Sequence, residues 1–228
     1  MRRDAALVPG EVYHIYNRGA HKREIFIHEQ DYVRFQLLLH VSNTRSGVNM
    51  RDLFVKYKGQ TFADIFVLEK LDKELVEVLG YCLMPNHFHM ILRQKAEKGI
   101  SIFLHKLFTA YSMYFNAKHD HSGILSQGAF KSRHVGTEQY LRYLFSYVHL
   151  NPLELVEPDW EAGVWKDMQT AKRFLKTYPY SSFYDYGVGE RPERGILAYE
   201  QRPDFLSTQN DLEELIRWFE EGKEFAKV

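Results

Sequence analysis

Two histidines separated by a single residue are the strongest chemical feature of this sequence. His87 and His89 stand in the run HFHMILR, directly after a Met-Pro-Asn turn. In a strand, side chains two residues apart lie on one face, so the two imidazoles would point together while Phe88 faces the core. Each neutral ring offers one lone pair to a metal ion. A His-apolar-His triplet also occurs on ordinary surfaces, but its position in a hairpin favours a metal site.

A tyrosine-rich helix supplies a possible reactive group. Tyr147 and Asn151 are four residues apart and share one helix face, whereas His149 points elsewhere. A phenol can attack a phosphate held on a metal ion, and a carboxamide oxygen can complete the coordination of that ion. Tyr140 and Tyr143 lie on nearly the same face, so spacing alone does not choose among the three tyrosines. A tyrosine stripe that packs on a sheet is the competing interpretation.

The elements that must position these residues follow from periodicity. Alternation predicts a first strand over 12–19, and helical spacing predicts a helix over 29–41. Two strand-like runs, 76–84 and 87–93, are separated only by Pro85-Asn86, which indicates a hairpin. A helix over 101–118 with Ser101 as its N-cap, a short strand ending near 135 and a helix over 137–151 capped by Thr137 follow.

This order predicts an α+β fold with a ferredoxin-like βαββαβ core, an antiparallel sheet and an appended helix that carries Tyr147. We expect a catalytic domain over 1–156 with an insertion at about 42–73, which contains a short strand or helix around 61–68. A C-terminal extension over 157–228, with a final helix from about Thr208 and an acidic tail, should pack on that domain.

Composition narrows the class of protein. Thirty basic and thirty acidic residues balance, so there is no global positive charge to indicate nucleic acid, although basic groups can still gather on one face. The single cysteine, Cys82, excludes an internal disulfide and lies in an apolar run that predicts burial. No segment has the ~20 apolar residues of a membrane span, and we expect a soluble, cytoplasmic protein. The aromatic content of 15% leaves rings available to stack on unpaired bases.

Four sequence blocks occur in an order that is typical of one family. They are YHIYNRGAHKREIF (13–26), YCLMPNHFHMIL (81–92), SGILSQGAFKS (122–132) and YLFSYVHLNPLELV (143–156). With them the chain resembles the single-tyrosine transposase superfamily of HUH endonucleases, specifically the transposases associated with repetitive extragenic palindromes. The resemblance spans about 11–156 and the short segment 178–186. The glycine block departs from the family pattern, because its usual aromatic residue and arginine are replaced.

The resemblance implies a metal-dependent enzyme that nicks and transfers single-stranded DNA at palindromic hairpins. It implies His87 and His89 as metal ligands on a central strand, Asn151 as a third ligand and Tyr147 as the nucleophile. The cofactor would be Mg²⁺ or Mn²⁺, and attack would leave a 5′-phosphotyrosine and a free 3′-OH. Many relatives act as dimers, so a homodimer and a monomer both stay open.

DNA contacts are expected from basic residues and from two polar residues of the first strand. Phosphate binding is predicted for Lys22, Arg23, Lys131 and Arg133, with Arg2 and Arg3 as further candidates. His14 and Asn17 would lie beside the metal or merely pack. Three alternatives stay open: a non-catalytic hairpin-binding protein, a metallonuclease that uses water as its nucleophile, and a structural role for the histidines and tyrosines.

Overall fold

A four-stranded antiparallel sheet lies at the centre of the fold. The computed structural model describes residues 6–47, 49–69, 71–72, 75–206 and 212–227. The strands are β1 (Val12–Arg18), β2 (Val76–Met84), β3 (His87–Gln94) and β4 (Lys131–Val135), in the order β2-β3-β1-β4. Every neighbouring pair is antiparallel. This is the order of a split βαβ core, so the predicted ferredoxin-like α+β class is confirmed.

Two long helices cover one face of the sheet. They are α1 (Glu29–Val41) and α4 (Gly99–Lys118). Phe88 of β3 is buried between them, with its ring centroid 5.7 Å from that of Phe35 and 5.3 Å from that of Phe108. The middle residue of the His-apolar-His triplet therefore belongs to the core, as the alternation predicted.

The start of α4 differs from the prediction. Ser101 was expected to cap this helix, but the helix begins at Gly99, and Lys98 in the left-handed region precedes it. A Cβ on Gly99 would lie 2.2 Å from the carbonyl oxygen of Leu75, so only glycine allows the chain to pass there. The Gln94 side chain accepts a hydrogen bond from the Ile100 N–H at 3.2 Å, which satisfies one exposed donor of the first turn.

The tyrosine-bearing helix, α5 (Glu138–Leu150), packs on the opposite face of the sheet. The Thr137 hydroxyl accepts from the N–H of Tyr140 at 3.2 Å, so the predicted N-cap is present. Helix α5 ends at Leu150 with Asn151 as its C-cap, as Pro152 predicted, and the chain continues as a 3-10 turn over Asn151–Leu155. Because the Asn151 N–H still bonds to the Tyr147 carbonyl, the two side chains remain one turn apart.

The insertion is helical. It contains α2 (Met50–Lys56), which the sequence did not predict, and α3 (Phe62–Leu68), which matches the element expected near 61–68. Thr61 caps α3 in a capping box with Asp64: the Thr61 N–H donates to the Asp64 carboxylate at 2.7 Å, and the Asp64 N–H donates to the Thr61 hydroxyl oxygen at 3.2 Å. Residues 48, 70 and 73 of the insertion lie outside the described residues.

The C-terminal part adds α6 (Met168–Thr177), α7 (Phe183–Gly187) and α8 (Leu212–Glu221). Helix α8 packs along α5, with the Phe219 ring 5.5 Å from Tyr143 and 4.9 Å from Trp160. The expected start of this helix at Thr208 lies outside the described residues, as do Arg2 and Arg3. Within the described ranges, no helix combines the length and apolarity that a bilayer crossing requires.

Candidate metal and tyrosine site

The strand register collects polar and ionisable side chains on the face beneath α5. Residues directly opposite each other on antiparallel strands point to the same face. One such row across the four strands contains Cys82, His89, Tyr16 and Lys131. The next row contains Met84, His87 and Arg18. The two basic residues of these rows, Arg18 of β1 and Lys131 of β4, both lie on the same side of the histidine strand, whereas β2 contributes Cys82 and Met84 on the other side.

The histidine strand and the tyrosine helix meet at one cavity of about 530 Å³. His87, His89, Tyr147 and Asn151 all line it, although almost sixty residues separate the two pairs in sequence. The rings of His87 and His89 are 5.1 Å apart, and the Tyr147 ring is 5.3 Å from that of His89, nearly perpendicular to it. The structure thus brings together all four residues that the sequence analysis placed at the centre of the site.

The contacts of His87 leave a place for a cation. Its Nδ1 lies 2.6 Å from the Asn86 side-chain oxygen, and its Nε2 lies 3.0 Å from the Asn151 side-chain oxygen. Burial lowers the pKa of His87, against the opposing effects of Asn151 and Glu154, so the ring is neutral near pH 7 and carries one N–H. Both ring nitrogens of His87 face amide oxygens, which can only accept a hydrogen bond. The nitrogen without a hydrogen therefore faces an oxygen with no hydrogen between them. A divalent ion between Nε2 and the Asn151 oxygen would satisfy both.

His14 acts on the site through His89. Its Nε2 lies 2.8 Å from Nδ1 of His89, and both rings are buried. Burial, followed by the charge of Arg133, lowers the pKa of His14 to about 3. Burial and the two neighbouring histidines hold the pKa of His89 well below its ordinary value. Both rings are neutral, so one of the two facing nitrogens donates the hydrogen bond. When Nδ1 of His89 is the donor, the lone pair on its Nε2 is left for a ligand, as in many metal-binding histidines.

Accessibility separates the three tyrosines of α5. Tyr140 and Tyr143 are both 6% exposed, whereas Tyr147 is partly exposed and lines the cavity. Burial raises the pKa of Tyr147, and the carboxylates of Glu161 and Glu154 raise it further. The phenol therefore holds its proton until a positive charge offsets these effects.

His149 is excluded from the site, as its position on the helix predicted. It is fully buried, and its Nε2 lies 2.7 Å from the Ser182 hydroxyl oxygen. Among the described residues, no group of three or more His, Cys, Asp or Glu side chains is arranged to hold a metal ion. The candidate ligand set here is two imidazoles and one amide, a mixed nitrogen and oxygen set.

The residues predicted to bind DNA divide among different surfaces. Lys131 and Asn17 line the cavity, and the Asn17 amide also donates to the Gly128 carbonyl at 3.2 Å. Arg133 stacks on Tyr140 and lines an adjoining hollow of about 350 Å³. Arg23 contacts His121 in a separate depression, and Lys22 is exposed nearby.

Several residues of the cavity were not predicted. They are Tyr16, Arg18, Gln127, Glu154, Pro158, Trp160 and Glu161. Alternation in β1 could have indicated Tyr16 and Arg18, because both share a face with His14. No local pattern marks Trp160 or Glu161, since they reach the site from the segment that follows the tyrosine helix.

Comparison with known proteins finds one matching family. Residues 47–151 match the family model described as "Transposase IS200 like". The matched segment contains both the histidine strand and the tyrosine helix, so it agrees with the resemblance identified from the sequence blocks. No curated protein matches the chain.

A solved structure resembles the chain over 90% of its length and 92% of the other chain, with 12% identity and a TM-score of 0.45. It is described as a REP-associated tyrosine transposase bound to a REP hairpin.

Proposed function

We propose that this protein is a metal-dependent endonuclease and strand transferase for hairpin-bearing single-stranded DNA. The observation that carries the proposal is the meeting of the Tyr147 phenol with His87, His89 and Asn151 at one cavity. A family fold alone does not imply catalysis. A retained nucleophile beside a complete set of candidate ligands supports it.

In the proposed reaction the Tyr147 oxygen attacks the scissile phosphorus. A bond from the phenol oxygen to phosphorus forms, the bond from phosphorus to the 3′ oxygen breaks, and a 5′-phosphotyrosine and a free 3′-OH result. The covalent intermediate conserves the phosphodiester bond energy, so a second 3′-OH can reseal the strand. Lys131 and Arg18 on the sheet side of the cavity would hold the phosphate backbone.

His87, His89 and Asn151 would hold the cofactor, which we propose to be Mg²⁺ or Mn²⁺. When bound there, the ion supplies Lewis-acid polarisation of the scissile phosphate. His14 would orient the His89 ring by sharing a proton with its Nδ1. Glu154 and Glu161 oppose loss of the phenol proton, so the phenol should react only when a cation is close.

Covalent trapping tests this function. The protein is incubated with Mn²⁺ and single-stranded hairpins taken from palindromic repeats that flank its reading frame. We expect a denaturation-resistant protein–DNA adduct, reduced at least ~10³-fold in Tyr147→Phe, because the phenol oxygen forms the new bond. Tyr143→Phe is the matched control and should still form it, since Tyr143 packs against Phe219 outside this cavity.

The result also separates the alternatives. A metallonuclease that uses water would still cleave DNA as Tyr147→Phe but not as His87→Ala. A non-catalytic binding protein would retain hairpin binding and form no adduct with any metal, and that outcome would refute the proposed activity.

A further inference from the structure

A groove lies between helix α4 and the loop formed by residues 123–130. We call it the α4 groove. Its volume is about 430 Å³, and its walls include the rings of Phe108 and Phe130 and the side chain of Ile124. His105 and Thr109 of α4 form its exposed edge. Ile124 is 75% exposed and therefore presents its apolar side chain to solvent at the groove.

The α4 groove adjoins the tyrosine cavity. Asn17 lines both, so the strand end that carries it separates them by a single side chain. Gln127 links the cavity to a third hollow of about 470 Å³, which contains Arg23, His21 and His121. The three hollows therefore surround the loop formed by residues 123–130. The α4 groove on one side of the loop has apolar walls, and the hollow that contains Arg23 lies on another side.

The loop between these hollows has a defined position. The Gln127 N–H donates to the Arg18 carbonyl at 2.7 Å, and the Ala20 N–H donates to the Leu125 carbonyl at 2.9 Å. The facing turn is held in a costly conformation, because His21 and Lys22 both have positive φ values. Backbone pairing that fixes an exposed loop beside an open groove creates a preorganised surface rather than a mobile one.

The chemistry of these walls matches a single strand of nucleic acid. Aromatic rings and an isoleucine offer flat apolar contact to a base, and every base has a face that only a single strand exposes. The neighbouring guanidinium and imidazoles suit the phosphates of the same strand. A duplex offers no free base face to such a groove.

We propose that the α4 groove binds an unpaired nucleobase of the strand whose scissile phosphate lies in the tyrosine cavity. The phosphates beside that base would contact the depression that contains Arg23. This inference rests on the proposed function, since it takes single-stranded DNA as the substrate.

Binding to strands with and without bases tests the proposal. The probes are fluorescent oligothymidine and an abasic oligomer with the same number of phosphates, compared by anisotropy at one salt concentration. The wild-type protein should prefer oligothymidine. Phe130→Leu should reduce that preference about fivefold or more, the fold-change that corresponds to ~1 kcal/mol or more per stacked base. Phe62→Leu is the matched control, because Phe62 is 41% exposed on α3 and should leave the preference unchanged.

A second measurement locates the base and does not depend on Phe130. The only cysteine, Cys82, is fully buried and burial raises its pKa, so it does not compete for a thiol probe. Thr109→Cys should form a disulfide with oligothymidine that carries one thiol-tethered base. Met113→Cys, on the same helix and outside the groove, should not, although Met113 is 69% exposed.

The outcomes distinguish this inference from the function on which it rests. Equal affinity of the wild-type protein for both oligomers, or equal crosslinking of the two cysteine variants, would overturn the groove assignment even if hairpin substrates still form the Tyr147 adduct. Loss of the preference in Phe130→Leu together with selective crosslinking at Thr109→Cys would support it. Absence of the adduct on every hairpin tested would count against the proposed function and not against base binding.

Discussion

The two faces of the central sheet are built by the same strands and differ completely in chemistry. On the face covered by α1 and α4, β3 contributes Phe88 and Met90, both buried in the core. On the face beneath α5, the alternating positions of β3 carry His87 and His89 beside an open cavity. The first face could be assembled from any well-packed apolar residues. The second requires that each buried polar group has a partner.

A comparison of two buried histidines sharpens this point. Burial lowers the pKa of both His89 and His149. His149, however, is enclosed, with Ser182 at its Nε2 and Gly80 of the sheet against its ring. His89 has its Nδ1 engaged by His14 and opens to the cavity. Burial and a shifted pKa are therefore common to structural and candidate functional histidines, and access to a cavity distinguishes them.

The clearest difference between the two faces should be metal binding, which we expect at the polar face alone. Mn²⁺ should raise the thermal stability of the wild-type protein, by ~2.7 kcal/mol when the ion is at about a hundred times its Kd. His87→Ala and His89→Ala should each abolish this increase, because each variant removes one of the two imidazole ligands. His105→Ala is the matched control, since His105 is exposed on α4. Unfolding followed by circular dichroism with and without MnCl₂ measures the effect, and an unchanged increase in His89→Ala would refute the ligand assignment.

The packing face should show the opposite behaviour. Phe88→Ala should reduce the free energy of unfolding by about 3–5 kcal/mol, because it leaves a cavity between α1 and α4. Urea denaturation checks the value. Any folded fraction of the variant should still gain stability from Mn²⁺, since its histidines are unchanged. If Phe88→Ala were neutral, the separation of the two faces into packing and chemistry would be wrong.

A buried carboxylate at the start of α1 gives a pH-dependent test of the packing side. Burial alone would raise the pKa of Asp31, but hydrogen bonds from the His28 and Ile27 N–H groups and contacts with Lys118 and His119 lower it below its ordinary value of 3.8. The ionised Asp31 carboxylate therefore stabilises the folded protein fully above the pKa that Asp31 has in the unfolded chain. This stabilisation is lost as the pH falls from there through the lower pKa of Asp31 in the folded protein.

Asp31→Asn should reduce the free energy of unfolding by about 3 kcal/mol at pH 7, because it removes a buried charge from its partners. The deficit should shrink below about pH 4, where the wild-type carboxylate begins to lose its own advantage. Asp64→Asn is the matched control: Asp64 completes the capping box of α3 at the surface, so its replacement should reduce the free energy of unfolding much less than that of Asp31. If the difference in free energy of unfolding between Asp31→Asn and the wild-type protein did not depend on pH, the charge of Asp31 would not be the source of its stabilising effect.

The smallest expected effect concerns the basic edge of the polar face. Lys131 lines the tyrosine cavity and its ammonium lies 5.7 Å from the Tyr16 ring. Lys131→Ala should reduce the slope of log affinity against log salt for single-stranded DNA by about 0.7, the value for one phosphate contact. Lys58→Ala, an exposed lysine of the insertion, should leave the slope unchanged. Equal slopes in all three proteins would remove Lys131 from the DNA path.

Local pattern accounts for most of the fold. The alternation in the strands, the spacing of the helices and the Pro85-Asn86 hairpin depend on residues close in sequence, and the structure confirms them. The start of α4 was predicted wrongly because it depends on a contact between residues distant in the chain: the backbone of Gly99 packs against the backbone of Leu75. Helix α2, the first helix of the insertion, carried too weak a pattern to be predicted.

By itself, the sequence determined that His87 and His89 share a face and that Tyr147 and Asn151 lie one turn apart, because backbone geometry sets both periods. Only the tertiary structure decided that these pairs meet, that Tyr147 rather than Tyr140 or Tyr143 opens to the cavity, and that His14 engages His89. Contacts between distant segments depend on how whole elements pack, and no spacing within a single element encodes that packing.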